Sequence, residues 1–538
     1  MSSATNVAHP RSASVSHFYS RSWSRISLIG GITVALLISA GAVLCMKFWP
    51  FSRKEVVQDL AEASDSSVTI QSYHPTYFPV PGCVLYGVDF RHGQYNKELI
   101  TIQKLRIVGS YSGILRHYVP RIIAEGARVL IPAFGSKTIF HSQHSDIKIG
   151  EIVANGTLVE FASSDPHASP LKFDVHDALL TEARWGSPIQ YRLKFRNPNP
   201  PGELSVNGKF GAWADGHPED TPMSGDYTFD KANLAQYEGI GGLLSSKGRF
   251  EGVLKHIDVS GTTDTPDFEV TSSGHKVGLR TQFNAYVNAQ NGDVFLNHVE
   301  ARFKRTTIVA DGSIARGKTH SGRAANVHLT SRDGRVEDVL GLFVTDPRSP
   351  MSGPISLDAR AELPSGDNSF LDKLHLGGEF LIREGKFTHS DTQLDVDKLS
   401  AGARGNNKDI PEEVVTDLKG KVDMRHALAD FSELDFGIPG AHAKLHGTYN
   451  VKNHSVNLHG EMRVETKISN TSSGMKSFLL KVLDPIFKKR QKGEIVPVHI
   501  MGTYEKPDIG LDLKQNGNDK QPKKKGEDWS VWNPRPRM

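Results

Sequence analysis

In VNLHGEMRVE, Val456, Leu458, Gly460, Met462 and Val464 alternate with Asn457, His459, Glu461, Arg463 and Glu465. Successive side chains of a strand point to opposite faces, so this period of two places every apolar group on one side of a sheet. The preceding run alternates in the same way, with Ala441, Ala443, Leu445, Gly447, Tyr449 and Val451 on one face and His442, Lys444, His446 and Thr448 on the other. The composition agrees with a globular β protein: 23% charged residues, 38% apolar residues and 50 glycines among 538. Of the two cysteines, Cys45 lies in an apolar run and Cys83 near the start of the body, so the fold stands on packing without an intrachain disulfide.

Asn-Gly between extended runs is a tight-hairpin signature, because both central residues of a type I′ turn need positive φ. Asn155-Gly156, Asn207-Gly208 and Asn291-Gly292 therefore predict hairpins between antiparallel neighbours. An internal echo, GTTDTPDF at 261–268 and GTYEKPDI at 502–509, predicts two strands that each end in a proline-containing turn, and two related β layers. Helices are expected at Arg53 to Ala63, Ser112 to Tyr118, Leu234 to Leu244, Val336 to Val344 and Pro411 to Leu418. The clearest helical stripe is Met475, Phe478, Leu479, Val482, Leu483, Ile486 and Phe487, with Lys488, Lys489 and Arg490 at its negative end.

Near the amino end, Ile26 to Met46 is a run of 21 residues without charge or proline. As a helix it spans roughly 30 Å, the thickness of a bilayer's hydrocarbon. Trp23 and Trp49 flank it at headgroup level, so we read it as a transmembrane anchor. The rival is a cleaved signal peptide, since Ala40-Gly41-Ala42 is an A-x-A site, although the apolar run outlasts an ordinary h-region. The flanking charges tie, Arg11, Arg21 and Arg25 against Lys47, Arg53 and Lys54, so orientation rests on the large body behind the helix, which would be exported.

The chain's net charge is +4, while residues 1–54 carry six basic and no acidic groups and residues 514–538 carry seven basic and three acidic. The body between them is therefore net acidic, the reverse of a nucleic-acid-binding surface. The tail reads as a solvated basic end, with weak attraction to an anionic membrane through Trp529 and Trp532 as the alternative.

Catalytic patterns are absent: no P-loop, G-x-S-x-G, H-E-x-x-H or paired C-x-x-C occurs. Gly239-Ile-Gly241-Gly242 lacks the Rossmann spacing and reads as a helix break. Ser473-x-x-Lys476 has no K-T-G partner, and His141, His144 and Asp146 lie in a polar stretch whose geometry fixes no ligand pair. No enzyme, metal or cofactor is expected.

Several segments in order carry a resemblance: the anchor followed by VTIQSYHPTYFPVPGCVLYGVDF, then ELITIQKLRIVGSYSGILRHYVPRIIAEGARVLIPAF, then SSKGRFEGVLKHIDVSGTTDTPDF, LHLGGEFLIREGKFTHSDTQLDVDKLSAGARG, and FLLKVLDPIFKK leading to GEIVPVHIMGTYEKPDIGLDL. The chain resembles AsmA-like envelope proteins, relatives of the TamB and YhdP types, over most of residues 27–513. The resemblance implies a mainly β fold: a single N-terminal transmembrane helix, then a long antiparallel U-shaped or layered sheet with a few short capping helices. It implies an anchor in the bacterial inner membrane, an N-terminus in the cytoplasm and a body in the periplasm. The expected organisation is a cytoplasmic end at 1–25, the anchor at 26–49, β regions at 50–205, 206–350 and 351–513 with an amphipathic capping helix at 475–489, and the basic tail at 514–538.

Functionally the resemblance implies binding or transfer of phospholipid, or another acyl-chain lipid, through an apolar groove that supports outer-membrane assembly or maintenance. Ala443, Leu445, Tyr449, Val456, Leu458, Met462 and Val464 are the candidate groove lining. The alternative is a non-enzymatic scaffold that docks outer-membrane assembly proteins through exposed sheet edges. Alternation alone fits both an open groove and two faces closed on each other.

Overall fold

The computed structural model describes residues 50–512 except 93–96, 133–146, 163–169, 185, 213, 215–216, 238, 290, 317–322, 367–368, 405–412, 465–494 and 504–505. The expected anchor at 26–49, the helix at 475–489, both chain ends, His141, His144, Asp146, Ser473 and Lys476 lie outside the described residues. Among the described residues, no helix is long and apolar enough to cross a membrane.

The first part of the chain holds α1 (Arg53–Ser64), β1 (Ser67–Thr76), β2 (Gly82–His92), β3 (Lys97–Val108), α2 (Tyr111–Ile114), β4 (Tyr118–Ile131), β5 (Lys148–Phe161), β6 (Leu171–Ala183), β7 (Ile189–Pro198), β8 (Pro201–Phe210) and β9 (Pro222–Asn233). Next come β10 (Ile240–Gly241), β11 (Leu243–Val253), β12 (His256–Val270), β13 (Lys276–Asn288), β14 (Asp293–Phe303), β15 (Thr306–Arg316), β16 (Arg323–Arg335) and α3 (Val336–Leu340). The last part comprises β17 (Met351–Ser352), β18 (Pro354–Leu363), α4 (Phe370–Lys373), β19 (His375–Phe387), α5 (Ser390–Ala403), β20 (Thr416–Arg425), β21 (Leu428–Ile438), β22 (Ala441–Asn450), β23 (Ser455–Val464), β24 (Ile495–Thr503) and β25 (Lys506–Leu511).

In place of the U-shaped or layered arrangement expected, the strands form one long sheet that stays open and uncurled. Apart from the two-residue β10 and β17, each strand pairs with its neighbours in sequence, from β1 at one edge to β25 at the other. All these pairs are antiparallel except β4 and β5, which run parallel. The expected boundary between 205 and 206 falls inside β8, and the sheet continues through it.

Two of the three Asn-Gly hairpins do not form. Asn155-Gly156 lies within β5, where Gly156 at φ +61° makes an irregularity beside Gly126 at φ +64°. Asn207-Gly208 lies within β8. Asn291-Gly292 does turn the chain between β13 and β14, with Gly292 at φ +71° and the Asp293 amide donating to Asn291 Oδ1. Of the echo, 261–268 is strand throughout, its Pro266 accommodated where the β12–β13 register shifts between Thr265 and Phe268. The second copy does separate two strands, β24 ending at Thr503 and β25 starting at Lys506.

The helix expected at Leu234 to Leu244 is a single 3-10 turn, Leu234–Gln236, capped by Asn233 and followed by strand, because Gly239 at φ +92° and Gly242 at φ +121° leave the helical region. At Pro411 to Leu418, strand begins by Thr416. At Ser112 to Tyr118 the helix is only Tyr111–Ile114, and Tyr118 opens β4. The helix at Arg53 forms as expected, started by Ser52, whose hydroxyl accepts from the Glu55 amide, while the one expected at Val336 to Val344 stops at Leu340, before Gly341.

Candidate functional site

One cross-strand row can be followed through 23 successive strands. It begins Tyr73, Leu85, Leu105, Ala124, Ala154, Ala178, Leu193 and Val206. It continues as Tyr227, Gly248, Gly261, Phe283, Val299, Ala310 and Leu329. It ends Ala359, Gly378, Val422, Phe431, Gly447, Leu458, Ile500 and Ile509. No charged side chain interrupts it. With strands about 4.8 Å apart, the row is about 105 Å long.

The row one residue along is of the opposite character: Lys104, Glu125, Asn155, Asp177, Lys194, Ser205, Thr228, Lys247, Thr262, Gln282 and Glu300. A strand that gained one residue would exchange the two faces, yet the faces persist through many register shifts. In β21 the apolar residues change phase, Ala429 and Phe431 before Leu434, Phe436 and Ile438, and the ladder to β22 slips between Phe431 and Leu434. β14 does the same between Leu296 and Val299, and β6 near Val175 and Asp177. Each bulge absorbs the phase change of its own sequence.

Cross-strand ion pairs populate the polar face. Lys104 Nζ lies 3.0 Å from Glu125, and Lys421 lies between Glu379 at 3.7 Å and Glu433 at 3.4 Å. Exposed pairs of this kind contribute little individually. Glu160 differs because it is buried, with its Oε2 accepting from Arg128 at 3.0 Å and Lys172 Nζ 3.6 Å from Oε1. The Arg128 hydrogen bond is the main influence holding its carboxyl below the usual range, while burial opposes it. A lowered folded-state value stabilises above the unfolded value and is lost as pH falls through the folded one. Glu160→Gln should therefore lower the melting temperature at neutral pH and shrink the acid-induced loss of stability, as read by thermal denaturation across the acid range; an unchanged acid limb would remove the pair from the account.

The apolar face carries close-laid aromatics. A Cβ on Gly248 would meet the Tyr227 ring at 2.9 Å, and one on Gly225 would meet Phe250 at 2.9 Å, so these rings lie flat over neighbouring strands. Phe161, Phe173 and Phe195 follow one another edge to face at 5.5 and 5.7 Å between centroids, all half-buried. The hydroxyls on this face pair with each other, Thr263 with Thr281 at 2.7 Å and Tyr227 with Ser246 at 3.2 Å.

Helices and the residues beside them cover parts of the face, among them α3, where Val336 and Val339 pack on the sheet beside Leu342 and Phe343. At the amino end α1 packs Val56 and Leu60 against Leu85, Leu105 and Ile122. Beneath it lies an apolar cavity of about 480 Å³, lined among others by Phe51, Leu60, Ile114, Ile122, Ile149 and Phe210, with Asp59 and Arg184 as its charged members. Burial first, then the charges of Glu55 and Glu62, raise the Asp59 carboxyl above its ordinary value. Cys83 lies fully buried in the same cluster, its thiol pushed up to about 12 by burial and so inert. Near the middle, Phe370 of α4 packs against both the Val270–Phe303 cluster and the Leu374–Met424 cluster.

At the carboxy end α5 places Val396 and Ala403 in one cluster with Leu434, Leu445, Met462 and Val496. The expected groove residues meet here: Ala443, Leu445, Leu458, Met462 and Val464 are buried in that cluster, Val456 packs against it, and Tyr449 belongs to the adjoining one. Sequence reasoning missed α5 and the amino-end cavity. It also named only the last few strands of a face that all the long strands share.

Comparison with known proteins adds no neighbour. No family model, curated protein or solved structure matches the chain. Among the described residues, His217, Glu219 and Asp220 approach closely enough to share a cation, but the Lys255 ammonium already pairs with Asp220. The continuous apolar face therefore remains the feature with the most chemical consequence.

Proposed function

We propose that this is an anchored, non-enzymatic lipid-handling protein of the AsmA-like type. Residues 26–46 hold it in a bacterial inner membrane, the body lies in the periplasm, and phospholipid acyl chains lie against the apolar face, supporting transfer between membranes or outer-membrane upkeep. The observation that carries this reading is the uncharged row through 23 strands. An ordinary core would set a second layer against such a face, whereas among the described residues short helices cover only parts of it and Phe195, Phe250 and Phe283 stay half-buried. Acyl chains are apolar, linear and need no directional partner, which suits a long face of this kind.

A photo-crosslinking residue at Phe195, Phe250 or Phe283 should capture phospholipid in cells, while one at Lys194, Arg249 or Gln282 on the polar face should not. Equal capture from both faces, or from neither, would overturn the assignment. A second reading, a scaffold for outer-membrane assembly proteins, draws on β1 and β25, the edge strands among the described residues. Near-stoichiometric phospholipid in the purified protein would count against it.

A further inference from the structure

The most exposed large apolar side chains of the described residues are not on the long face. They are Leu115 at 86% and Phe78 at 84%, with Tyr111 at 54% and Tyr77 at 47% beside them. Phe78 and Tyr77 lie in the β1–β2 loop, Tyr111 in α2 and Leu115 just after it. The two segments meet, since the Tyr111 hydroxyl donates to the Tyr77 carbonyl. A patch of this composition, exposed on a loop pair, costs solubility unless something covers it.

The start of the body lies at the same point. The Gly109 amide donates to the Pro81 carbonyl at 2.8 Å, and a Cβ on Gly109 would meet the Phe51 ring at 2.4 Å. The Tyr73 hydroxyl donates to the Phe51 carbonyl. Phe51 is thus held against the β3–α2 connection, which itself bonds the β1–β2 loop, and against β1. It stands five residues after Met46, the end of the uncharged run, and five extended residues reach about 17 Å at most.

We propose that Tyr77, Phe78, Tyr111 and Leu115 form a seat that rests in the headgroup region of the membrane holding residues 26–46. The inference rests on the anchor reading of that run and is independent of lipid on the long face. Phenolic rings suit the interface because their bodies are apolar and their hydroxyls are wet, and Phe and Leu supply the buried part. Exposed Arg116 lies just after α2, and exposed Arg53 and Lys54 open α1 two residues after Phe51; these complement anionic headgroups. A seat next to the anchor fixes the tilt of the whole sheet, because a single spanning segment leaves rotation free. It also sets the amino-end cavity beside the bilayer, since Phe51 and Ile114 line that cavity.

The test uses the full chain with Cys45→Ala; buried Cys83 stays unlabelled. An environment-sensitive fluorophore is attached at Phe78→Cys, at Leu115→Cys, or at Asn291→Cys, about 48 Å away along the sheet. The first two sites are almost fully exposed, so the substitutions remove no packing. In vesicles of phosphatidylethanolamine and phosphatidylglycerol, emission from 78 and 115 should shift to the blue and be quenched by lipids carrying a shallow nitroxide, with 291 unaffected. If the chain floats with the vesicles but 78 and 115 behave like 291, the seat is refuted while the anchor stands, and the patch falls to a protein partner. If the chain does not float at all, seat and anchor fail together. Crosslinking from Phe250 reports the long face separately in either case.

Discussion

Leu85→Asp is expected to unfold the amino end of the sheet and leave the carboxy end folded. Leu85 is fully buried, paired with Tyr73 on one side and Leu105 on the other, and covered by α1. Truncating such a leucine costs roughly 2–5 kcal/mol, and a carboxylate with no partner in the same place adds its desolvation. Limited proteolysis with mass mapping should show new cuts throughout β1 to β4, while the cluster around Leu445 and Met462 keeps its resistance. Resistance unchanged at both ends would mean that this cluster does not hold α1 on the sheet.

Gly460→Val should have the second large effect. A Cβ on Gly460 would lie 2.0 Å from the Lys444 carbonyl oxygen and 2.8 Å from the Leu445 Cα, both on the paired strand β22. Backbone atoms cannot swing aside as a side chain can, so β22 and β23 must separate. Forced overpacking costs roughly 1–3 kcal/mol or more, and here it also opens the ladder that carries β24 and β25. Gly377 is the control, with open space around its Cβ position and an extended backbone. Gly377→Val should leave the melting temperature close to that of the parent, and a similar loss in both variants would show that strand separation is not the cause.

The strands and their facing were legible where the sequence period was clean. Residues 441–451 and 456–464 each alternate cleanly, and the structure buries the side they predict. Bulges hid the rest. A period-two run that slips phase, as at Phe431 and Leu434, reads as two short strands until the register shift is known. Positive φ was also misassigned: Gly156 uses it inside a strand, whereas the turn between β20 and β21 is made by His426 at +51° and Ala427 at +60°, with no Asn-Gly to announce it.

The helix α5 escaped because its inward side mixes buried Gln393, Asp397 and Ser400 with Val396, Ala401 and Ala403. Gln393 donates to the Val414 carbonyl and accepts from the Phe387 amide, Asp397 accepts from the Val414 amide, and Ser400 donates to the Pro439 carbonyl. These side chains satisfy strand-end backbone groups, so burial there leaves no hydrophobic stripe to read. The cavity beneath α1 was illegible for another reason: its lining comes from α1, β4, β5, β7 and β8, which only the completed sheet brings together.

Pairing of each long strand with its sequence neighbours makes the molecule modular in one direction. Two strands and their turn can be added or lost with only two ladders to re-form, and the faces stay matched if the insert keeps the alternation. Each such step changes the reach by about 10 Å. The span of the protein is thus a quantity that insertion and deletion can tune almost independently of its chemistry, as links set the length of a chain.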